Sequence, residues 1–333
     1  MLMRHVLIMT PGTPALLVLS AFLLQGSATG GELFLDRDWS GRPVPQYHNG
    51  YFAGFELDSS ANSFPVYLYD SGGRKVFDAP LKVDEQAARV APRSIAVSKE
   101  GVVVVAGSAF AGQSAANFIA WLGKDGQLIR VVRMNNFAPL QLCFTHDGTL
   151  WAAGRYSPPQ RHDPEHDVLR AFDREGRLKF SLLPRSSFAA GDAHPVRVAR
   201  LACNGNHVAL LSVTHREMVI VSASGVILSR NSFDWPVQDP CVTGFVTASS
   251  GEVAVSLRHF EKGKRAPSCS LFAWLPAEGR WTPIHLPEQE GSRPSFQAVF
   301  AWEGNQMLVS SGAGKFQWLP SDKIAWSTSQ LVH

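Results

Sequence analysis

The chain has 333 residues, 45% hydrophobic and 18% charged, which excludes a wholly disordered polypeptide and leaves ample material for a core. Its length admits two ordinary domains or one large all-β unit. Lys and Arg number 31 against 28 Asp and Glu, a net charge of +3 that is too small and too evenly spread to imply a nucleic-acid partner.

The first element in chain order is an export signal. Arg4 and His5 give a positive start, Ala15 to Leu24 (ALLVLSAFLL) is an apolar run of ten, and small residues from Gln25 to Gly31 surround a cleavage point after Ala28 or Gly30. Ten residues make about 15 Å of helix, half the ~30 Å hydrocarbon core, and Pro11 and Pro14 block extension of the run. The expectation is a signal peptide over residues 1–30 and an exported mature chain over 31–333, periplasmic or extracellular. No second apolar run approaches spanning length, so no membrane span is expected after cleavage.

The mature region repeats. An apolar segment, a Gly- or Asn-containing turn and a second apolar segment occur at Arg93 to Gly107, Leu140 to Gly154, Ala199 to Ser212, Thr243 to Leu257 and Gln297 to Ser311, with a degenerate copy around Asn49 and Gly50. A second turn follows each copy: Ser71 to Gly73, Lys124 to Gly126, Arg174 to Gly176, Ala223 to Gly225, Ala277 to Gly279 and Ser321 to Lys323. Such turns between β-rich runs signal hairpins, because Gly accepts the positive φ they require. Six units of four strands therefore fill the chain. A four-stranded sheet cannot bury both faces alone, so the units must stack, and radial stacking gives an all-β, six-bladed β-propeller of four-stranded antiparallel blades as one domain.

Two further columns fit this reading. Leu68, Trp121, Ala171, Ile220, Trp274 and Trp318 stand five residues before the ends of the second turns and are expected to pack between blades. Pro92, Pro139, Pro195, Pro240 and Pro294 stand before the first strands of five copies, where a missing N–H costs least. Cys143, Cys203, Cys241 and Cys269 match no metal-ligand spacing, and export permits disulfides among them without fixing a pairing.

The stretches PRSIAVSKEGVVVVAG (Pro92 to Gly107) and AFDREGRLKFSL (Ala171 to Leu182) resemble the opening and closing halves of a repeat in the NHL and TolB-like group of six-bladed propellers. The Asp that follows the second strand in that group is replaced here by Gly107, Gly154 or Ser212. The resemblance implies a scaffold for binding protein, peptide, glycan or small molecules, with lactonase and hydrolase enzymes as a minority.

The sequence contains no GxSxG, HExxH, Walker A, CxxC or GxGxxG motif, and no catalytic residue, metal site or cofactor is predicted. The favoured reading is a binding or interaction protein for an unknown protein, glycan or small anionic ligand; the alternatives are a lactonase- or hydrolase-type enzyme and a structural envelope protein. Binding residues concentrate on loops held by a rigid scaffold. The long connections, 155–167, 184–195, 232–240 and 258–268, all belong to one face, where the site is expected. His162, Asp163, Glu165, His166 and Asp167 read as a solvated polar loop rather than a metal site, since three nearby prolines oppose a helix. Arg258, His259, Lys262, Lys264 and Arg265 make a basic loop, and Trp235 is either an exposed contact or a half-buried lid. Eight residues before the first turns stand Arg42, Arg93, Leu140, Val198, Thr243 and Gln297, with Arg197 one step before Val198. No acid shares these positions, which disfavours a central calcium site and leaves two readings of the arginines: stacking on neighbouring blades or pairing with loop acids such as Asp192, or holding an anion at the channel mouth. The candidate ligand-binding residues are Arg42, Arg93, Arg197, Trp235 and His259.

Overall fold

Each pair of turns closes one blade. The computed structural model describes residues 32–35, 45–56, 62–157, 163–188, 198–260, 267–284, 298–312 and 315–320. The first blade is β2 (Gln46–His48), β3 (Tyr51–Phe55), β4 (Phe64–Asp70) and β5 (Lys75–Leu81); β1 (Glu32–Phe34) precedes it. The second is β6 (Arg89–Val97), β7 (Val103–Ala111), β8 (Ser114–Leu122) and β9 (Leu128–Met134). The third is β10 (Phe137–Phe144), β11 (Leu150–Tyr156), β12 (Asp167–Phe172) and β13 (Leu178–Pro184), and the fourth β14 (Val198–Asn204), β15 (His207–Ser212), β16 (Glu217–Ser222) and β17 (Ile227–Ser232). The fifth comprises β18 (Cys241–Thr247), β19 (Val253–His259), β20 (Ser268–Leu275) and β21 (Arg280–Ile284). The sixth holds β22 (Ala298–Glu303), β23 (Gln306–Gly312) and β24 (Lys315–Pro320), and its outermost strand is β1. All pairings are antiparallel, so the fold is an all-β six-bladed propeller.

The last blade departs from the sequential scheme. The turn expected at Ser321 to Lys323 lies outside the described residues, and the strand paired with β24 comes from the other end of the chain, with Leu33 opposite Phe316. This closure is invisible to a repeat search because it joins residues nearly 300 positions apart in a local pattern of only three residues.

The turns follow the chemistry that marked them. Gly101 and Gly126 stand at φ +83° and +79°, a region closed to most side chains. Asp70 and Asp173 brace their turns by accepting two backbone N–H bonds each, at 2.8–3.0 Å, and an arginine N–H four residues on.

The repeated apolar column packs as expected: Leu68, Trp121, Ala171, Ile220 and Trp274 are buried, and Trp318 is half-buried against Tyr47. Trp121 shares its cluster with Phe144 and Phe172 of the third blade, which places it in the seam between neighbouring blades.

The prolines sit differently from expectation. Pro92 and Pro139 lie inside β6 and β10, paired with Gly107 and Gly154, and the register shifts immediately after each. Those strands are innermost, with one edge turned to the channel, where a missing N–H breaks no ladder bond. The paired residues must be small: a Cβ on Gly107 would lie 2.5 Å from the Ala91 carbonyl oxygen, and one on Gly154 2.4 Å from that of Ala138. These glycines thus accommodate a bulged strand. Pro240 precedes β18, while Pro195 and Pro294 lie outside the described residues.

Of the three cysteine pairings left open, the structure contains Cys143–Cys203, which ties β10 to β14 with a Cα–Cα distance of 5.6 Å. Cys241 and Cys269 are not bridged. The bridge spans 60 residues of chain, and confining a loop of that length in the unfolded state is worth about 4 kcal/mol on the chain-entropy account. Replacing both cysteines by alanine is expected to lower the urea midpoint accordingly; an unchanged midpoint would deny the bridge a stabilising part.

Candidate functional site

The six innermost strands β2, β6, β10, β14, β18 and β22 surround a central channel. Each begins at the face that carries the long connections and ends at the face of tight turns. The two ends offer different chemistry.

At the tight-turn end lies a cavity of about 110 Å³ whose lining includes Tyr47, His48, the Cys143–Cys203 bridge, Asn204, Trp302 and Glu303. Asn204 Nδ2 donates to the carbonyls of Thr247 at 2.9 Å and Trp302 at 3.2 Å, linking three blades. His48 Nε2 lies 3.2 Å from Gln46 Oε1, and burial pushes the ring pKa from 6.5 down to about 4 despite a bond to the Ile95 backbone, so the imidazole is neutral at pH 7. The Tyr47 hydroxyl donates to Glu303 Oε1 at 3.3 Å. Burial raises the Glu303 carboxyl above the ordinary range, with the Tyr47 bond opposing it. Burial, reinforced by the Glu303 charge, raises the Tyr47 phenol.

At the long-loop end, Arg93 occupies the bulge of β6 between Pro92 and Ser94. Its guanidinium does not project freely into the channel. Nη1 crosses β7 to donate to Asn117 Oδ1 on β8 at 3.3 Å. Asn117 is buried at 6% exposure; its Oδ1 also accepts from Ser108 Oγ at 2.6 Å, and its Nδ2 donates to Ser157 Oγ of the third blade at 3.0 Å. Burial lowers the Arg93 pKa, and the nearby Arg155 charge adds to the fall. Neither arginine forms an ion pair among the described residues. The second and third blades therefore bring two cations near one another with no acidic side chain paired to either among the described residues.

The remaining sequence candidates lie elsewhere. Arg42 and Arg197 fall outside the described residues. Of the matched positions, Arg93, Leu140 and Thr243 do stand at bulges, whereas the bulge of the fourth blade falls one residue after Val198 and that of the sixth at Phe300. His259 is buried at the end of β19, 3.0 Å from Ser270 Oγ. Trp235 is half-buried, stacked on Trp281 at 6.3 Å and edge-on to Phe233 at 4.8 Å, the lid-like of its two readings. Both belong to the fifth-blade side, across the ring from Arg93.

In the His and Asp loop, His162 is outside the described residues, and His166 turns inward between Phe137 and Tyr156. Among the described residues no three His, Cys, Asp or Glu side chains gather as a metal site, and no helix is long and apolar enough to cross a membrane. Sequence reasoning missed Arg155, Asn117 and Ser157. An asparagine within the otherwise apolar strand SAANFIAWL was the available signal.

No family model matches the sequence, and no curated protein matches it. Among solved structures, the chain is similar to a protein of unknown function from Bacteroides caccae, at 11% identity over 85% of this chain and 96% of that one, with TM-score 0.49. It is also similar to a Bacteroides fragilis protein, at 10% identity over 88% and 95% of the two chains and TM-score 0.46. The glutaminyl cyclase of Myxococcus xanthus gives 14% identity over 68% and 89%, with TM-score 0.37. Likenesses at this level say nothing of what the chain binds.

The depressed His48 pKa has a consequence for stability. Between pH 6.5 and about 4 the unfolded chain takes up a proton at this ring that the folded chain does not, so stability falls as pH drops through that window and is fully present above it. The melting temperature is expected to decline over this range, and His48→Asn to flatten the decline. Parallel curves for the two proteins would mean that His48 is not among the groups responsible.

Proposed function

We propose that the chain is an exported six-bladed propeller of the NHL and TolB-like kind that binds a small anionic ligand at its long-loop end, between the second and third blades. The observation that carries this reading is the pair Arg93 and Arg155, close enough for the second to perturb the first and facing no carboxylate among the described residues. Holding two like charges together without a counter-ion is unfavourable, and a bound carboxylate or phosphate relieves it. Guanidinium groups suit such ligands because two N–H donors meet two oxygens in one plane. Ser157 and the buried Asn117 supply a preset polar wall.

Export is supported by the apolar run Ala15 to Leu24 and by the Cys143–Cys203 bridge, since structural disulfides persist in oxidising compartments. The signal peptide over 1–30 and the single propeller domain over 31–333 belong to the same reading. Calorimetric titration with small dicarboxylates and sugar phosphates tests it. Arg93→Ala and Arg155→Gln should each weaken binding by about tenfold or more, the usual scale for a charge-assisted bond. No binding by the wild-type protein, or equal binding by all three, would refute the assignment.

A further inference from the structure

The tight-turn end of the channel carries the opposite sign. Several described carboxylates face arginines: Asp70 with Arg74 at 2.9 Å, Asp84 with Arg133 at 2.8 Å, Asp173 with Arg177 at 2.7 Å, and the buried Glu217 with Arg230 at 2.9 Å. Among the described residues Glu303 has no such partner. Its described neighbour is a phenol, Tyr47, and it stands beside the channel cavity at the end of β22. Among the described residues no Lys or Arg lines that cavity, and His48, which does, is held neutral. The described lining thus carries one negative charge, on a carboxylate that is itself exposed to solvent, and no positive one.

We infer that this cavity is a second binding site, separate from the arginine pair, and that it takes a small primary ammonium compound with Glu303 as its counter-ion. Size sets the scale of the ligand. A cavity of about 110 Å³ has room for more than one water yet is smaller than the roughly 300 Å³ at which drug-sized pockets begin, the scale of a small ligand. Chemistry sets its head group. An ammonium offers three N–H donors and no acceptor, and the site answers with the Glu303 carboxylate. The apolar lining of Phe245, Val246 and Ala301 suits a short carbon chain. Tyr47 acts as a positioning residue: its hydroxyl, anchored on the first blade, holds the carboxylate of the sixth.

Ligand-observed NMR titration of the full mature chain with ethylammonium chloride tests the inference, with ethanol as the neutral isostere, tetramethylammonium as the cation lacking N–H, and calcium as the inorganic alternative. A ligand of three heavy atoms is expected to bind with a millimolar Kd. Glu303→Gln, which keeps an acceptor for Tyr47 and the geometry of the turn, should raise that Kd at least tenfold. Ethanol and tetramethylammonium should bind more weakly than ethylammonium. Equal binding by wild type and Glu303→Gln, equal binding of ethanol, no detectable binding of ethylammonium, or Glu303-dependent binding of calcium with none of ethylammonium would each overturn the assignment. Because the anion titration uses different ligands and different substitutions, failure of either site leaves the other standing.

Discussion

Everything in this fold depends on closing the ring. A blade buries its faces only against its neighbours, so an incomplete sixth blade would leave two apolar faces in water. The chain meets this by lending its first strand to its last blade: β1 pairs with β24, and Leu35 just beyond it joins a cluster containing Phe52 and Tyr67 of the first blade and Phe316 of the sixth. Tyr47 adds an edge-on contact to Phe52 within the first blade and another to Trp318 across the same seam. The seam is thus both a ladder and an aromatic cluster, two interactions of different range fixing one junction.

Radial blades turn the edges of their innermost strands toward the channel, and those edges are too far apart to pair as a sheet. Their backbone groups still require partners, and side chains supply several. Leu142 N–H donates to Ser94 Oγ at 3.0 Å and Val299 N–H to Ser256 Oγ at 3.1 Å. Arg200 Nη2 reaches the Val242 carbonyl at 2.6 Å, and Asn49 Nδ2 that of Val97 at 2.7 Å. Each of these bonds joins adjacent blades. Polar residues within the apolar inner strands are therefore ties between sheets, and the Cys143–Cys203 bridge is the covalent member of the same set.

The fold was legible because it is written in local signals. A glycine at positive φ must be tolerated wherever the turn occurs, so Gly50, Gly101, Gly126 and Gly176 declared their hairpins without reference to the rest of the chain. The site was less legible because it depends on register. The bulge after Pro92 adds one unpaired residue and re-aims Arg93 across β7, and nothing in the counting of residues from a turn reports such a shift. Asn117, Ser157 and Arg155 are 24 to 64 positions from Arg93 in sequence; Asn117 meets it across the sheet of the second blade, and the other two are brought near by the third blade. Glu303 stands beside Gly304 and Asn305 in the turn of the sixth copy, where the local pattern reads only as a hairpin, and its contact with Tyr47 forms only when the sixth blade meets the first. The closing strand escaped notice for the same reason: three residues make a weak pattern, and the partner lies at the far end of the chain.

The separation of the two ends decides whether they act together. From the bulge at Arg93 to the end of β6 at Val97 is four residues, about 13 Å of strand, and the Arg93 side chain points away from the tight-turn end, toward β8. The Debye length at physiological ionic strength is about 8 Å, so in a solvent-filled channel the arginine pair and the Glu303 carboxylate scarcely feel one another. Small ligands at the two ends would therefore bind independently. Coupling requires either a ligand that spans the channel or a shift of the strands between the ends. The second route is opposed by the ties just described, since Asn204 joins three blades at one level and the disulfide fixes two of the strands. The rigidity that keeps the ring closed thus also keeps the Arg93 and Glu303 ends of the channel chemically separate.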